Sequence, residues 1–254
     1  MNLRVVITGA SSGIGQALAA EYARRGATLG LIARREQALQ GLAAELKVQT
    51  ALYPLDVRDA AGLARAAKDF CARFGSPDIV IASAGVSAGT STERSEDRAV
   101  FQEILDVNVM GMVNTFARFL PALRAAGSGT LVGIASVAGF RGIPGSGAYS
   151  ASKAAAIAYL ESLRVELRGS GISVVTISPG YIDTPMTRGN PYPMPFMIPA
   201  DVAAKRMAGA IARRRGHVVI PWQMGIVGAL LRILPRAIYD RMFARAPRKP
   251  RRDQ

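Results

Sequence analysis

The 254-residue chain has one cysteine, Cys71, and one histidine, His217. That inventory excludes an internal disulfide, a zinc site built on thiolates, and any Ser-His-Asp triad that does not use His217. Carboxylates are also scarce: 18 Asp and Glu stand against 32 Lys and Arg, a formal net charge of +14. Such a surplus attracts nucleic acid or anionic lipid weakly and without specificity. No base-reading motif accompanies it, so no specific nucleic-acid partner is expected. No apolar run reaches the roughly 20 residues that a bilayer span needs. The first residues pass directly into a strand pattern, from which we expect no secretory leader and a reducing, cytoplasmic setting. Cys71 is expected to pack beside Phe70 and Phe74, and His217 to open a late strand without a catalytic role.

What the chain does have is half its residues hydrophobic, enough for one sizeable core. Apolar runs that read as strands are Leu3–Thr8, Leu29–Ala33, Ala51–Asp56, Ile79–Ser83, Thr130–Ser136, Ser173–Ser178 and His217–Ile220. Helical patterns separate them, the longest from about Glu96 to Ala125 with Pro121 inside it. This alternation predicts an α/β fold: one Rossmann-like, doubly wound parallel sheet of about seven strands with helices on both faces. There is no internal repeat. Residues 1–221 are expected to form the main unit, and 222–254 a basic, amphipathic helical extension. In such sheets ligands bind outside the carboxyl ends of the strands. Thr8, Asp56, Ala84, Ser136 and Pro179 fall at or just after those ends.

Two local patterns carry chemistry. After the first strand comes Gly9-Ala10-Ser11-Ser12-Gly13-Ile14-Gly15, then an amphipathic helix from Ile14 to Arg25. Glycines at this turn permit close backbone approach, and the helix N–H groups that follow suit a pyrophosphate. Tyr149 and Lys153 are four apart on a predicted helix and so share a face. A cation beside a phenol, ordinarily near pKa 10, pulls it toward the range useful for acid-base catalysis.

Thr8-Gly9-x3-Gly13-Ile14-Gly15, Asp56-Val57, Asn108-Val109-x-Gly111, Ser136, Tyr149-x3-Lys153 and Pro179-Gly180 occur in this order from Thr8 to about Thr184. Together they resemble the short-chain dehydrogenase/reductase family. The resemblance implies hydride transfer between a nicotinamide dinucleotide and a carbonyl or secondary alcohol. Tyr149 would be the general acid/base, Ser136 would stabilise the carbonyl oxygen, and Lys153 would lower the tyrosine pKa and bind ribose hydroxyls. Asn108 would hold a relay water, Asp56 and Val57 would meet the adenine, and Thr184 the carboxamide. Gly9, Ser11, Ser12, Gly13, Ile14, Gly15, Ala84, Gly85, Pro179, Gly180 and Ile182 complete the implied cofactor contacts; no metal is implied. One departure stands out: Ala82-Ser83-Ala84-Gly85 replaces the family's usual Asn-Asn-Ala-Gly, predicting a softer local structure with the chemistry retained. A catalytically silent scaffold or sensor of the same fold is the alternative.

Cofactor choice is read at the end of the second strand. Where NAD-specific sites usually carry an acid, this chain has Ala33 followed by Arg34 and Arg35. Guanidiniums suit a 2′-phosphate, so NADP(H) is expected, with Arg34 the nearer partner. The alternative is that both arginines are solvated helix-start residues. From 185 to 199, five prolines with Met186, Tyr192, Met194, Phe196 and Met197 predict a shaped lid that cannot continue a helix and suits a lipophilic substrate. A loop packed on the body is the other reading. From Trp222 to Leu234 the chain is apolar, and from Arg232 onward it carries eight Lys/Arg against two Asp. This combination suits the inner face of a membrane; a helical layer over the pocket or a subunit contact is the alternative. By resemblance, the helices near Glu96–Ala125 and Tyr149–Arg168 would pair in a homodimer or homotetramer.

Overall fold

Val5, Val6 and Ile7 are fully buried, with Val5 and Ile7 in one core and Val6 in the other. Successive strand residues point to opposite faces, so a continuous apolar run needs cover on both. In the computed structural model, which describes residues 2–251, the strands are β1 (Arg4–Thr8), β2 (Thr28–Ala33), β3 (Thr50–Pro54), β4 (Ile79–Ala82), β5 (Gly129–Ile134), β6 (Ile172–Pro179), β7 (Ile182–Asp183), β8 (Ile198–Pro199) and β9 (His217–Ile220). Seven form one parallel sheet in the order β3-β2-β1-β4-β5-β6-β9; β7 and β8 pair separately.

Helices α1 (Gly13–Arg24) and α2 (Glu36–Leu46) cover one face, placing Leu18, Tyr22, Leu39 and Leu42 in the core. On the opposite face are α3 (Ala60–Phe74), α4 (Asp97–Leu105), α5 (Gly111–Ala126) and α6 (Gly147–Glu166). Their contribution includes Phe70, Phe116, Phe119 and Leu160. After the short α7 (Pro185–Arg188), α8 (Ala200–Ala212) returns to the first face with Met207 and Ile211. Then α9 (Trp222–Ile233) and α10 (Arg236–Phe243) form the extension. The expected seven-stranded doubly wound sheet is therefore present.

Differences from the sequence reading lie at element ends. β3 stops at Pro54, and the expected last residues bend away because Asp56 Oδ1 accepts from the Arg58 amide at 2.9 Å, a side-chain-closed turn. β5 ends at Ile134, and Ser136 instead caps a 3₁₀ turn over Val137–Gly139, its Oγ accepting from Ala138 N at 3.1 Å. The long helix runs from Asp97 to Ala126 but widens into a π turn at Asp106–Met110. Pro121 is tolerated within α5 on its exposed side, where water can meet the carbonyl that loses its N–H partner. In the proline-rich segment 185–199, Pro185 starts a helical turn, because the first helical position needs no N–H donor. Pairing of Ile182 with Ile198 and of Asp183 with Pro199 closes the base of that segment.

Candidate active site

At the boundary between β1 and β4 the chain leaves the sheet in opposite directions, opening a crevice beyond the strand ends. Buried Thr8 ties these ends together: its Oγ1 accepts from the amides of Ser83 (3.1 Å) and Ala84 (3.2 Å) and donates to the Ile81 carbonyl (3.5 Å). The backbone after β4, where the chain has Ser83, is thus held by a threonine on the neighbouring strand. Gly9 follows at φ +69°, and a Cβ there would lie 2.7 Å from Ala84 Cα. Glycine alone lets the turn approach β4 this closely. The turn delivers the start of α1 to the crevice, with no acidic residue in its first turn. Its free N–H groups and positive dipole end are suited to an anion.

Basic side chains flank that helix start. Arg35 Nη2 donates to the carbonyl (3.0 Å) and Oγ (3.2 Å) of Ser11. Arg34 is exposed, with Nη1 3.9 Å from Asp56 Oδ2. Arg58 holds Asp56 more closely, through Nη2 at 2.7 Å and Nε at 3.0 Å. Hydrogen bonding from Arg58 keeps the Asp56 carboxyl below the usual range despite partial burial. Ala33 closes β2 without a carboxylate.

At the other end of the crevice, α6 presents Tyr149 and Lys153 one turn apart. Lys153 is buried, its Nζ donates to the Ile134 carbonyl at 2.9 Å, and it lies 5.7 Å from the centre of the Tyr149 ring. Burial lowers the ammonium pKa to about 8. Burial also raises the Tyr149 phenol, with a hydrogen bond from Ser136 acting in the opposite direction. The expected downward pull of Lys153 on Tyr149 does not outweigh desolvation here.

Asn108 occupies the π turn and is fully buried. Its Oδ1 accepts from Val86 N (2.8 Å), and its Nδ2 donates to Val86 O (3.0 Å) and Ser152 Oγ (3.0 Å). A Cβ on Gly85 would stand 3.2 Å from Asn108 Oδ1 and 3.7 Å from Lys153 Nζ, so both groups approach one point. Widened helical turns of this kind recur at functional sites.

A cavity of about 420 Å³ joins the two ends. Of the catalytic and cofactor-binding residues expected from the sequence, all but Asn108 line it, from Gly9 through Arg34, Asp56 and Ser136 to Thr184. Asn108 stands behind the wall. The anion-ready helix start, the adjacent arginines and the half-buried Tyr149 beside buried Lys153 fit an elongated phosphate-bearing dinucleotide. His217 is elsewhere, with Nε2 2.9 Å from Ser178 Oγ and its ring edge-on to Phe140.

Several neighbours escaped the sequence reading. Arg58 was hidden because its role depends on the turn at Asp56. Thr187 fastens the start of α7, its Oγ1 accepting from Thr184 N at 3.0 Å and donating to Ile182 O at 2.7 Å; a Thr-x-x-Thr spacing after Ile182 was the available signal. Lys249 lies 6.0 Å from the centre of the Tyr149 ring, a contact across 100 residues with no local signal.

A family model described as short chain dehydrogenase matches residues 4–192. An uncharacterized oxidoreductase of Myxococcus xanthus is 38% identical over 238 residues, covering 92% of this chain and 94% of its own. Among solved structures, an alcohol dehydrogenase from the archaeon Thermococcus sibiricus, complexed with 5-hydroxy-NADP, is 29% identical. It has a TM-score of 0.77, covering 87% of this chain and 96% of its own. A short chain dehydrogenase/reductase from Burkholderia phymatum in complex with NAD is 25% identical with a TM-score of 0.83, covering 98% and 97%.

Proposed function

The chain belongs to the short-chain dehydrogenase family, and on that premise we propose that it is an NADP-dependent oxidoreductase interconverting a lipophilic carbonyl compound and its secondary alcohol. The observation that carries the reaction class is the convergence of Ser136, Tyr149 and Lys153 on one cavity with the glycine turn at its far end. A bound nicotinamide dinucleotide supplies or accepts the hydride. The Tyr149 hydroxyl gives its proton to the substrate oxygen during reduction and recovers it during oxidation. Ser136 donates a hydrogen bond to the same oxygen, where negative charge develops. Lys153 binds ribose hydroxyls and holds a positive charge beside the phenol, and Asn108 orders a water that passes protons to Lys153.

NADP rather than NAD is supported by Arg34, Arg35 and the missing acid at Ala33. Known structures of related proteins include complexes with both cofactor types, so the argument rests on these residues. Asp56 and Val57 border the adenine, Thr184 meets the carboxamide, and residues 185–199 cover a substrate whose apolar body touches Met186, Phe196 and Met197, all exposed on the lid. We read residues 1–221 as the catalytic unit and 222–254 as an addition to it. Exposed Phe101, Met110 and Val165 on or between α4, α5 and α6 favour pairing with a second copy.

The extension has a second, outward face. Trp222, Ile226, Leu230 and Ile233 are exposed along α9, as are Ile238 and Met242 on α10. The spacing makes each set a stripe, with Arg232, Arg236 and Arg241 in the same segment. No helix among the described residues is long and apolar enough to cross a membrane. An anionic lipid surface satisfies both the stripe and the arginines, whereas a second copy would bring arginine toward arginine. We accordingly read the protein as cytoplasmic, with this stripe as its contact to the inner face of a membrane.

The test of the reaction is Tyr149→Phe, which keeps the ring and removes the proton. Turnover of carbonyl substrates should fall at least ~100-fold, while NADPH binding, followed by its fluorescence, stays close to wild type. Near-normal turnover would overturn the mechanism, and a wild-type kcat/KM favouring NADH would overturn the cofactor assignment.

A further inference from the structure

Beyond α10 the chain turns back toward the crevice. Arg251 fastens its end: Nε lies 2.9 Å from Asp97 Oδ2, Nη2 is 2.9 Å from Asp97 Oδ1, and Nη2 also reaches Glu96 at 3.1 Å. Asp97 is buried, and its Oδ2 also accepts from the Ser91 amide at 2.8 Å. One residue earlier, the Pro250 carbonyl accepts from the Gly89 amide at 2.8 Å. A Cβ on Gly89 would collide with the Lys249 carbonyl, so the close approach requires glycine there. The Arg248 side chain lies against Gly145. Residues 248–251 thus form a strap tied to the loop after β4 and to the loop before α6. Tyr149 lies in the first turns of that helix.

Between these ties Lys249 turns inward, its ammonium 6.0 Å from the centre of the Tyr149 ring. Among the described residues no hydrogen bond or ion pair reaches it. Its neighbours in the strap differ, since Arg251 has carboxylate partners and Arg248 packs outside. Half-burial costs the ammonium hydration and lowers its pKa. The ring face returns part of that cost, but an ammonium has three donors to satisfy. A substrate bound at the Tyr149 hydroxyl would bring atoms a few bonds from its carbonyl within reach of this charge.

We propose that Lys249 determines substrate specificity, selecting carbonyl compounds that bear a carboxylate a few bonds from the reacting carbon, with the strap 248–251 completing the substrate side of the cleft. The apolar lid residues then contact the body of such a molecule and Lys249 its charged end. This role rests on the oxidoreductase reading for turnover, but not for binding.

The experiment uses the full-length protein saturated with NADP⁺ and measures calorimetric binding of medium-chain oxo acids and of their methyl esters. Wild type should bind the acids at least ~10-fold more tightly than the esters, the ratio expected from one charge-assisted hydrogen bond. Lys249→Gln should bring the two to equal affinity, and Lys249→Arg should keep the preference. Both variants should melt within a few degrees of wild type, roughly the range for a change of about 1 kcal/mol. Equal binding of acid and ester by wild type, no binding of either, or a preference that survives Lys249→Gln would overturn the assignment. Turnover of the same compounds is read separately. Acid-selective binding without any carbonyl reduction would overturn the oxidoreductase reading and leave the role of Lys249 standing.

Discussion

A lysine whose ammonium is buried is unusual, and Lys153 combines that burial with a single bond to the Ile134 carbonyl. Its pKa of about 8 in the folded protein lies below the 10.5 of an exposed lysine. The unfolded chain therefore binds more protons between these values, and Lys153 adds stability as pH rises through 8. The raised Tyr149 phenol acts in the opposite sense only near pH 10 and above, where unfolded tyrosine ionises. Comparing urea stability of wild type with Lys153→Met should therefore isolate the lysine: from about pH 7 to 9.5, wild type should gain about 2 kcal/mol relative to the variant. Parallel stability curves would refute the buried charge. The residue scale also explains why a Tyr/Lys spacing was readable but its energetics were not. Spacing fixes which face two residues share, whereas desolvation depends on what the rest of the chain places around them.

At the scale of elements, the π turn Asp106–Met110 lets one long helix serve two ends. It directs Asn108 inward to clamp Val86, the residue immediately after the site's Ala84-Gly85 pair. Asn108→Leu has a similar volume but leaves the Val86 amide and carbonyl without their partner. Each buried orphan costs about 1–3 kcal/mol, so the melting temperature should fall by roughly 5–15 °C for a chain of this size. A drop of less than about 1 °C would show that these bonds are replaceable. The helix itself was legible from Glu96 to Ala125, because apolar periodicity spans it. The widened turn was not, since one added residue hardly disturbs that periodicity and its cause is a tertiary partner.

For the molecule as a whole, the extension joins the body and the exterior. Arg141 stands at the C-terminal end of α9, Nη1 donating to the carbonyls of Leu231 (2.7 Å) and Leu234 (2.8 Å), and its guanidinium lies 4.2 Å from the centre of the Tyr239 ring. A cation at a helix C-terminus stabilises by about 0.3–1 kcal/mol. The Tyr239 hydroxyl bonds to the Gly142 carbonyl, and Phe140 packs where a Cβ on Gly228 would lie. The inner face is therefore committed to the body, leaving the outer stripe for a partner. Flotation with phosphatidylserine-containing vesicles should recover the wild-type protein, with less binding as salt is raised. Replacing Trp222, Ile226 and Leu230 together by serine should weaken binding by at least ~100-fold, given about 1.5–3 kcal/mol for each large apolar side chain buried. If wild type ignores vesicles and the triple variant instead loses an oligomer on size exclusion, the stripe belongs to a second copy.

The sequence alone determined the sheet, the glycine turn, and many of the residues that line the cavity. Those features rest on local causes: apolar runs demand two covered faces, glycine permits the tight turn, and residues at strand ends converge once parallel pairing is established. It also marked the extension as two apolar-basic helices, since periodicity is a local property. Tertiary structure decided what no short window contains. Asn108 is aimed by a π turn at Val86 and Ser152, and Ser83 and Ala84 are held by Thr8 from the neighbouring strand. The extension had been a choice between covering the pocket and meeting a membrane; folded, it carries Lys249 to Tyr149 on one side while exposing Trp222 and Ile226 on the other. The first depends on how the chain returns across its own crevice, a path set by Asp97 and Gly89, more than 150 residues before the arginine and proline they hold; the second depends on Arg141 and Phe140, which hold the opposite face of the extension.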